Sequence, residues 1–214
     1  MIIDSLQLIF IHVPRTGGTT IESLFGQPMC DTSPADAIIQ KIGVNKYKSY
    51  FKFAVVRNPF DRLVSSYWFH ELQQKYSVDD IIHNRTNAIT NPSKTFSEYV
   101  NAIYNHFSMT NRLPDRATQW LQAGGAFASS PAIMSLYQPG DLVVDEILRY
   151  ETFNSDIKNL LTKYGIEYGE IPCLNASTRA NYQSYYNADL ISKVSTAYAD
   201  DLKFFNYKYE DIHF

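Results

Sequence analysis

The stretch near the N-terminus constrains the fold more than any other part of the sequence. It has the pattern of a strand, a glycine-containing loop and the start of a helix. Residues 8–22 read LIFIHVPRTGGTTIE, so a nearly continuous apolar run ends at Pro14 and two glycines follow. An unbroken apolar run is typical of a strand buried on both faces, which we predict over residues 6–12. A helix is predicted over residues 19–25.

This loop has the chemistry of an anion site. Backbone N–H groups at the start of a helix point toward a bound anion, and the helix dipole adds a partial positive charge. Arg15, directly after Pro14, adds a permanent cation whose guanidinium can bind two anionic oxygens at once. We therefore predict that residues 15–20 bind a phosphate or sulfate group.

A second stretch of the same kind covers residues 51–68, which read FKFAVVRNPFDRLVSSYW. The apolar run predicts a strand over residues 51–56, and Arg57 follows it. Asn58 suits the N-cap of a helix and Pro59 suits its first position. Apolar residues then recur at helical spacing, namely Phe60, Leu63, Val64, Tyr67 and Trp68. A second cation thus follows a second buried strand.

The rest of the chain alternates between helical and strand patterns. We predict helices over 35–42, 95–107, 117–122 and 188–202, a helix capped by Thr152 or Asn154 that ends at Tyr164, a strand over 142–148 and a surface excursion over 76–93. This alternation predicts an α/β fold, a P-loop-like three-layer sandwich with a mostly parallel central sheet flanked by helices. We expect residues 1–214 to form a single domain, with ligands at the carboxyl ends of the strands.

Composition narrows the class of function. The 214-residue chain has a net charge of −3, which argues against general nucleic-acid binding. The sequence has no apolar stretch of membrane-spanning length and no signal-peptide pattern at its N-terminus, so we expect a cytoplasmic protein. The two cysteines, Cys30 and Cys173, stand too far apart in sequence for a metal-ligand pair. The sequence therefore predicts no metal site.

A small-molecule kinase is one interpretation of a phosphate-binding loop. The ATP-binding loop of such kinases has the pattern G-x-x-x-x-G-K-[ST], with a lysine after the glycines. In this chain the cation, Arg15, precedes Gly17 and Gly18, and Thr19 follows them. The loop therefore favours an anionic ligand other than ATP, and the kinase is the weaker alternative.

Together the two cationic stretches resemble the sulfotransferases that use 3′-phosphoadenosine-5′-phosphosulfate (PAPS). Residues 11–20 resemble the loop that binds the 5′-phosphosulfate, and residues 53–67 resemble the 3′-phosphate site, with Arg57 and Ser65 at the family's spacing. The pattern is most similar to the carbohydrate-type branch, which includes heparan 2-O-sulfotransferases and bacterial relatives. The resemblance covers nearly the whole chain.

The resemblance implies in-line transfer of a sulfuryl group from PAPS to an acceptor hydroxyl, with 3′,5′-adenosine bisphosphate as the product. A carbohydrate is the expected acceptor, and the partner is a glycan or small molecule. No metal is implied. Weaker matches at residues 148–151 and 172–179 extend the resemblance toward the C-terminus. The cofactor-binding residues that it implies are Arg15, Thr16, Gly17, Gly18, Thr19, Thr20, Arg57, Ser65, Asn175, Ser177 and Arg179.

Two features depart from the family's pattern. Most members have lysine where this chain has Arg15, so a catalytic role of Arg15 would be electrostatic, because a guanidinium does not readily release a proton. The second departure concerns the general base, which many bacterial relatives place as a histidine near residues 31–34. Other branches use a glutamate at about the distance from the loop cation at which this chain has Asp36. Asp36 is therefore our first choice of base and Asp31 our second.

The absence of that histidine leaves a second function open, a protein that binds the nucleotide without turnover. His12 and Glu22, on either side of the loop, are interpreted as packed structural residues rather than as the base. His70 is interpreted as an ordinary helix residue.

Overall fold

A computed structural model of the chain describes residues 1–26, 33–70, 95–111, 132, 136–138, 141–172 and 179–211. The chain divides into two compact units. The first unit combines Met1–Arg57 with Ala132–Ala176, and the second combines Asn58–Pro131 with Ser177–Phe214. That residues 1–214 act as a single domain stays a prediction.

The described elements alternate between strands and helices, as the sequence predicted. The strands are β1 (Ile2–Ile3), β2 (Leu8–Ile11), β3 (Phe51–Val56), β4 (Tyr137–Gln138), β5 (Asp141–Leu142) and β6 (Glu146–Arg149). The helices are α1 (Gly18–Leu24), α2 (Ala35–Ile42), α3 (Val44–Ser49), α4 (Pro59–His70), α5 (Phe96–Thr110), α6 (Phe153–Lys163), α7 (Ala188–Ala197) and α8 (Ala199–Phe204). Among these residues, no helix is long and apolar enough to cross a bilayer.

The first unit is built on a four-stranded sheet with the order β1-β2-β3-β6. β2 runs parallel to β3, and β3 runs parallel to β6, whereas the short β1 pairs antiparallel with β2. β4 and β5 form a separate antiparallel pair. The predicted α/β fold with a mostly parallel sheet is therefore confirmed.

Helices cover both faces of this sheet. Phe10 of β2 and Phe53 of β3 point to one face, where they join a buried cluster with Ile21 of α1 and with Ile157 and Leu160 of α6. The opposite face carries the side chain of β3 residue Lys52, whose ammonium lies 5.5 Å from the ring centroid of Tyr47 in α3. Because both faces are covered, the ends of the strands are the parts of the sheet left for chemistry.

The prediction of one strand over residues 142–148 is wrong, because β5 and β6 are separate strands. Between them, the backbone N–H of Asp145 donates to the carbonyl of Lys52 at 2.8 Å. The carboxylate of Asp145 accepts from the backbone N–H of Lys52 at 2.7 Å and lies 2.9 Å from its Nζ. An aspartate side chain that takes a backbone donor interrupts regular strand pairing, so the ladder with β3 begins only at Glu146.

The second unit packs α4, α5 and α7 around an aromatic core. As predicted, the Asn58 side chain caps α4, since its Oδ1 accepts from the N–H of Phe60 at 3.1 Å. Helix α5 is capped as well, because Thr95 and Glu98 form a reciprocal capping box. The buried residues of this core are Phe60, Leu63, Val64, Tyr67, Phe96, Tyr99, Val100, Ile103, Tyr182, Leu190, Val194 and Tyr198.

The last predicted helix, residues 188–202, is interrupted. Helix α7 ends at Ala197, and Tyr198 adopts a φ of −111° before α8 begins. Tyr198 itself is buried, like Val194 one turn earlier and Asp201 three residues later. Because these positions keep helical spacing, the interruption changes the backbone and leaves the buried face intact. The helix predicted over 117–122 and the excursion over 76–93 lie outside the described residues.

Candidate functional site

Three loops of the first unit leave the same edge of the sheet. β2, β3 and β6 are parallel neighbours, so the loops that follow them meet where the strands end. Arg15 lies in the loop after β2, Arg57 in the segment after β3, and Tyr150 directly after β6. Parallel pairing thus brings two cations and an aromatic ring to one edge of the sheet.

The glycine-containing loop between β2 and α1 is held by its own hydrogen bonds. The Thr16 hydroxyl donates to the carbonyl of Val13 at 2.7 Å. The N–H of Thr20 donates to the carbonyl of Gly17 at 3.0 Å, which closes the first turn of the helix. Gly17 has a φ of +89°, a conformation in which side chains are strained, and a Cβ there would lie 2.7 Å from the Phe153 ring of α6. Both features explain why glycine occupies this position.

A buried histidine–glutamate pair lies beneath the loop. His12 Nδ1 is 3.0 Å from Glu22 Oε1, and each side chain is only 4% exposed. A carboxylate at Nδ1 favours the tautomer that carries the proton there. The other side of the ring faces Gly18, because a Cβ at Gly18 would lie 2.0 Å from His12 Nε2. The loop therefore packs its second glycine directly onto the imidazole, which agrees with the interpretation of both residues as structural.

Arg15 has an unusual backbone and a partner on the neighbouring strand end. Its φ of +66° lies in the left-handed region, which costs a non-glycine residue of the order of 1–2 kcal/mol. Its carbonyl oxygen accepts a hydrogen bond from Arg57 Nη1 at 3.1 Å. The guanidinium carbon of Arg57 lies 3.8 Å from the ring centroid of Tyr150, within cation–π distance. Arg57 is buried, with 6% of its surface exposed.

Of the two candidate bases, the structure describes only Asp36. Asp36 lies in the first turn of α2 and is exposed to solvent. Asp31 lies outside the described residues. Within the described part of the chain, no cluster of three or more His, Cys, Asp or Glu side chains is placed to hold a metal ion.

The two other predicted nucleotide contacts that the structure describes, Ser65 and Arg179, belong to the second unit. Ser65 is buried in α4. Arg179 Nη2 binds Asp61 Oδ1 at 2.6 Å, while its Nη1 is buried and has no hydrogen-bond partner among the residues that the structure describes. Asn175 and Ser177 lie outside the described residues, as does the side chain of His70.

The pKa values of two tyrosines of the second unit, Tyr198 and Tyr186, are raised. Burial raises the pKa of Tyr198, and the positive charge of Arg62 opposes that rise. Burial likewise raises the pKa of Tyr186 well above its usual value. Both phenols therefore stay neutral, and Tyr186 donates to the carbonyl of Phe60 at 2.9 Å. These groups support the unit and do not supply a base.

Three features of this site are not predicted by the sequence: the contacts of Tyr150 and of Phe153, and the pairing of His12 with Glu22. The family resemblance includes Tyr150 only as part of residues 148–151, although its position after a predicted strand indicates that it lies at the same edge of the sheet. The ring of Phe153 leaves no room for a side chain at Gly17. This contact could not be predicted, because a sequence does not show which distant side chain a loop will contact. His12 and Glu22 were both interpreted as structural, but their pairing was not predicted.

The fold and the site together define an α/β protein with two arginines at the carboxyl edge of a mostly parallel sheet. The family model described as "Sulfotransferase family" matches residues 1–208. The chain belongs to the sulfotransferase family. The predicted resemblance is thereby confirmed at the level of the family.

Curated relatives of the chain are carbohydrate sulfotransferases. The chain is 26% identical over 183 aligned positions to carbohydrate sulfotransferase 10 of Xenopus laevis, covering 76% of this chain and 49% of the relative. It is 24% identical over 249 aligned positions to carbohydrate sulfotransferase 10 of Rattus norvegicus, covering 97% of this chain and 66% of the relative. The chain thus spans between about half and two thirds of these relatives. No solved structure matches the chain.

Proposed function

We propose that this protein transfers a sulfuryl group from PAPS to a hydroxyl group of a carbohydrate. The observation that carries the proposal is the pair of arginines, Arg15 and Arg57, at the ends of adjacent parallel strands in a chain of the sulfotransferase family. PAPS carries anionic groups at both its 5′ and 3′ positions, so two cationic loops suit it better than one. The names of the relatives support a carbohydrate acceptor.

The loop after β2 is assigned to the 5′-phosphosulfate. Arg15 and the exposed hydroxyl of Thr19 supply donors from side chains. Thr16 contributes through its backbone N–H, because its hydroxyl already donates to Val13. The Thr20 hydroxyl completes the set. PAPS, when bound, supplies the activated sulfuryl group, and these residues hold the negative charge that develops as it is transferred.

The 3′-phosphate is assigned to Arg57. A guanidinium stays protonated at all physiological pH values and binds phosphate through a planar fork of donors. Arg179 of the second unit is retained as a nucleotide contact on the family resemblance, and so are Ser65, Asn175 and Ser177.

Calorimetric titration with 3′,5′-adenosine bisphosphate tests the donor assignment directly. We expect binding that is at least about tenfold tighter than for adenosine 5′-monophosphate, since a charged hydrogen-bonded contact contributes about 1.5–3 kcal/mol. Failure of the bisphosphate to bind at high micromolar concentration would reject the proposed function. Transfer of radiolabelled sulfate to a panel of sugar acceptors then tests turnover.

Arg15→Ala should reduce turnover by about 100-fold or more, because it removes a charge-stabilising donor from the transferring group. The matched variant Arg15→Lys keeps the positive charge and should retain activity within about tenfold of wild type. Both are measured as kcat for transfer from radiolabelled PAPS. Equal activity of wild type and Arg15→Ala would show that Arg15 does not contact the transferring group.

Asp36→Asn should reduce turnover by about 100-fold while the affinity for the bisphosphate stays unchanged, because a general base acts on the acceptor and not on the donor. The comparison is kcat against the dissociation constant from calorimetry. Asp31→Asn is the matched variant for the second candidate. Full turnover by Asp36→Asn would reject Asp36 as the base and leave the enzyme assignment standing.

A further inference from the structure

We infer that Arg57 is also a positioning residue for the first loop, so that it supports the 5′-phosphosulfate site even for a ligand that lacks a 3′-phosphate. The inference rests on the proposed function. It starts from one contact, the hydrogen bond from Arg57 Nη1 to the carbonyl oxygen of Arg15 at 3.1 Å. That contact joins two residues that are 42 positions apart in sequence.

A hydrogen bond to the carbonyl oxygen of Arg15 also fixes the neighbouring backbone of the loop. A peptide unit is planar and trans, so fixing the carbonyl oxygen of Arg15 also fixes the N–H of Thr16, which points the opposite way. The Thr16 side chain is held in turn by its bond to the Val13 carbonyl. One donor from Arg57 therefore sets the direction of an N–H group that is assigned to the anion.

The backbone of Arg15 needs such a restraint. Its φ of +66° lies in a region that side-chain-bearing residues seldom adopt. Conformations of this kind persist where the surrounding structure holds them. Release of the carbonyl would allow Arg15 to relax toward negative φ, which would turn its side chain and the following N–H away from their present directions.

Tyr150 holds in place the Arg57 guanidinium that bonds to the Arg15 carbonyl. The ring centroid lies 3.8 Å from the guanidinium carbon, and Tyr150 opens the short 3₁₀ helix Tyr150–Thr152 directly after β6. A planar guanidinium can stack face to face on a ring and still donate hydrogen bonds in its own plane. Tyr150, directly after β6, thus acts on the loop after β2 through Arg57, directly after β3. Both halves of the donor site therefore depend on Arg57.

The test uses a ligand that separates the two roles. Adenosine 5′-phosphosulfate carries the phosphosulfate and lacks the 3′-phosphate. We expect Arg57→Lys to weaken adenosine 5′-phosphosulfate by about tenfold and 3′,5′-adenosine bisphosphate by about 100-fold, measured by calorimetry. If Arg57→Lys binds adenosine 5′-phosphosulfate as tightly as wild type and loses only the bisphosphate, Arg57 serves the 3′-phosphate alone and the inference is wrong, while the proposed function stands.

A second measurement needs no ligand. We expect the ¹⁵N order parameter of the Thr16 amide to fall from about 0.85 to below about 0.6 in Arg57→Lys and in Tyr150→Leu. The matched control Tyr150→Phe keeps the ring and should leave the Thr16 amide rigid. An ordered Thr16 amide in both Arg57→Lys and Tyr150→Leu overturns the inference. Absence of nucleotide binding by wild type rejects the proposed function, and the order parameters then decide separately whether Arg57 holds the loop.

Discussion

Gly18→Ala should abolish measurable binding of the bisphosphate and lower the free energy of unfolding by about 3 kcal/mol. The added methyl group would lie 2.0 Å from Nε2 of His12 and 2.4 Å from Cε1 of the same ring. The imidazole cannot move aside, because its other nitrogen is held by Glu22 and the pair is buried. The loop must therefore lift, which displaces the N–H groups assigned to the anion. Thermal unfolding and calorimetry measure the two effects.

Gly169→Ala is the matched control for this substitution. Gly169 has open space around the position of a Cβ and no strained φ, so the change should alter neither stability nor binding. A second comparison uses His12→Ala as background, in which Gly18→Ala should cost much less because the ring that it meets is absent. Wild-type stability and affinity in Gly18→Ala would contradict the packing of the loop on His12.

Glu22→Ala should lower the free energy of unfolding by about 3 kcal/mol, because it leaves a buried imidazole N–H without its acceptor. For a chain of this size that corresponds to a melting temperature lower by about 6–12 °C. Glu22→Gln keeps an oxygen in the same place and should cost about 1 kcal/mol or less. Both variants remove the negative charge, so the difference between them reports the hydrogen bond to His12 together with the packing lost on truncation.

An exposed glutamate gives the baseline for these measurements. Glu167 is exposed, and Glu167→Ala should change the melting temperature by about 2 °C at most, since surface substitutions usually alter stability by no more than about 0.5 kcal/mol. Equal losses in Glu22→Ala and Glu22→Gln would mean that the charge of Glu22, and not its hydrogen bond, stabilises the site. No loss in either variant would reject the structural role of the pair.

The parts of the fold that sequence predicted well have local causes. Helix α2 was predicted over residues 35–42 and β3 over 51–56, and the structure has these bounds. In each case the signal lay within the element or beside it, such as Gly43 at the end of α2. The order of the two cationic stretches was also sufficient to expect both at one edge, because parallel strands of an α/β sheet end together.

The parts that were missed depend on partners far away in the chain. β5 and β6 are separate because the Asp145 carboxylate accepts a hydrogen bond from the backbone of Lys52. The sequence around residue 145 does not predict that partner. The stacking of Tyr150 on Arg57 is likewise a contact between two strand ends. The general base remains a prediction for a different reason, because one of its two candidates, Asp31, lies outside the described residues.

The aromatic residues behind the glycine loop affect how the site can form during folding. Phe153, at the start of α6, lies against Gly17 of the loop, and Tyr150, directly after β6, stacks on Arg57. Both are far along the chain from the residues that they contact. Contacts of high sequence separation form slowly, because a long loop must close before they contribute. We therefore expect the loop to gain its final shape only once β6 has paired with β3, and a nascent chain that ends before β6 to carry the motif without its working geometry.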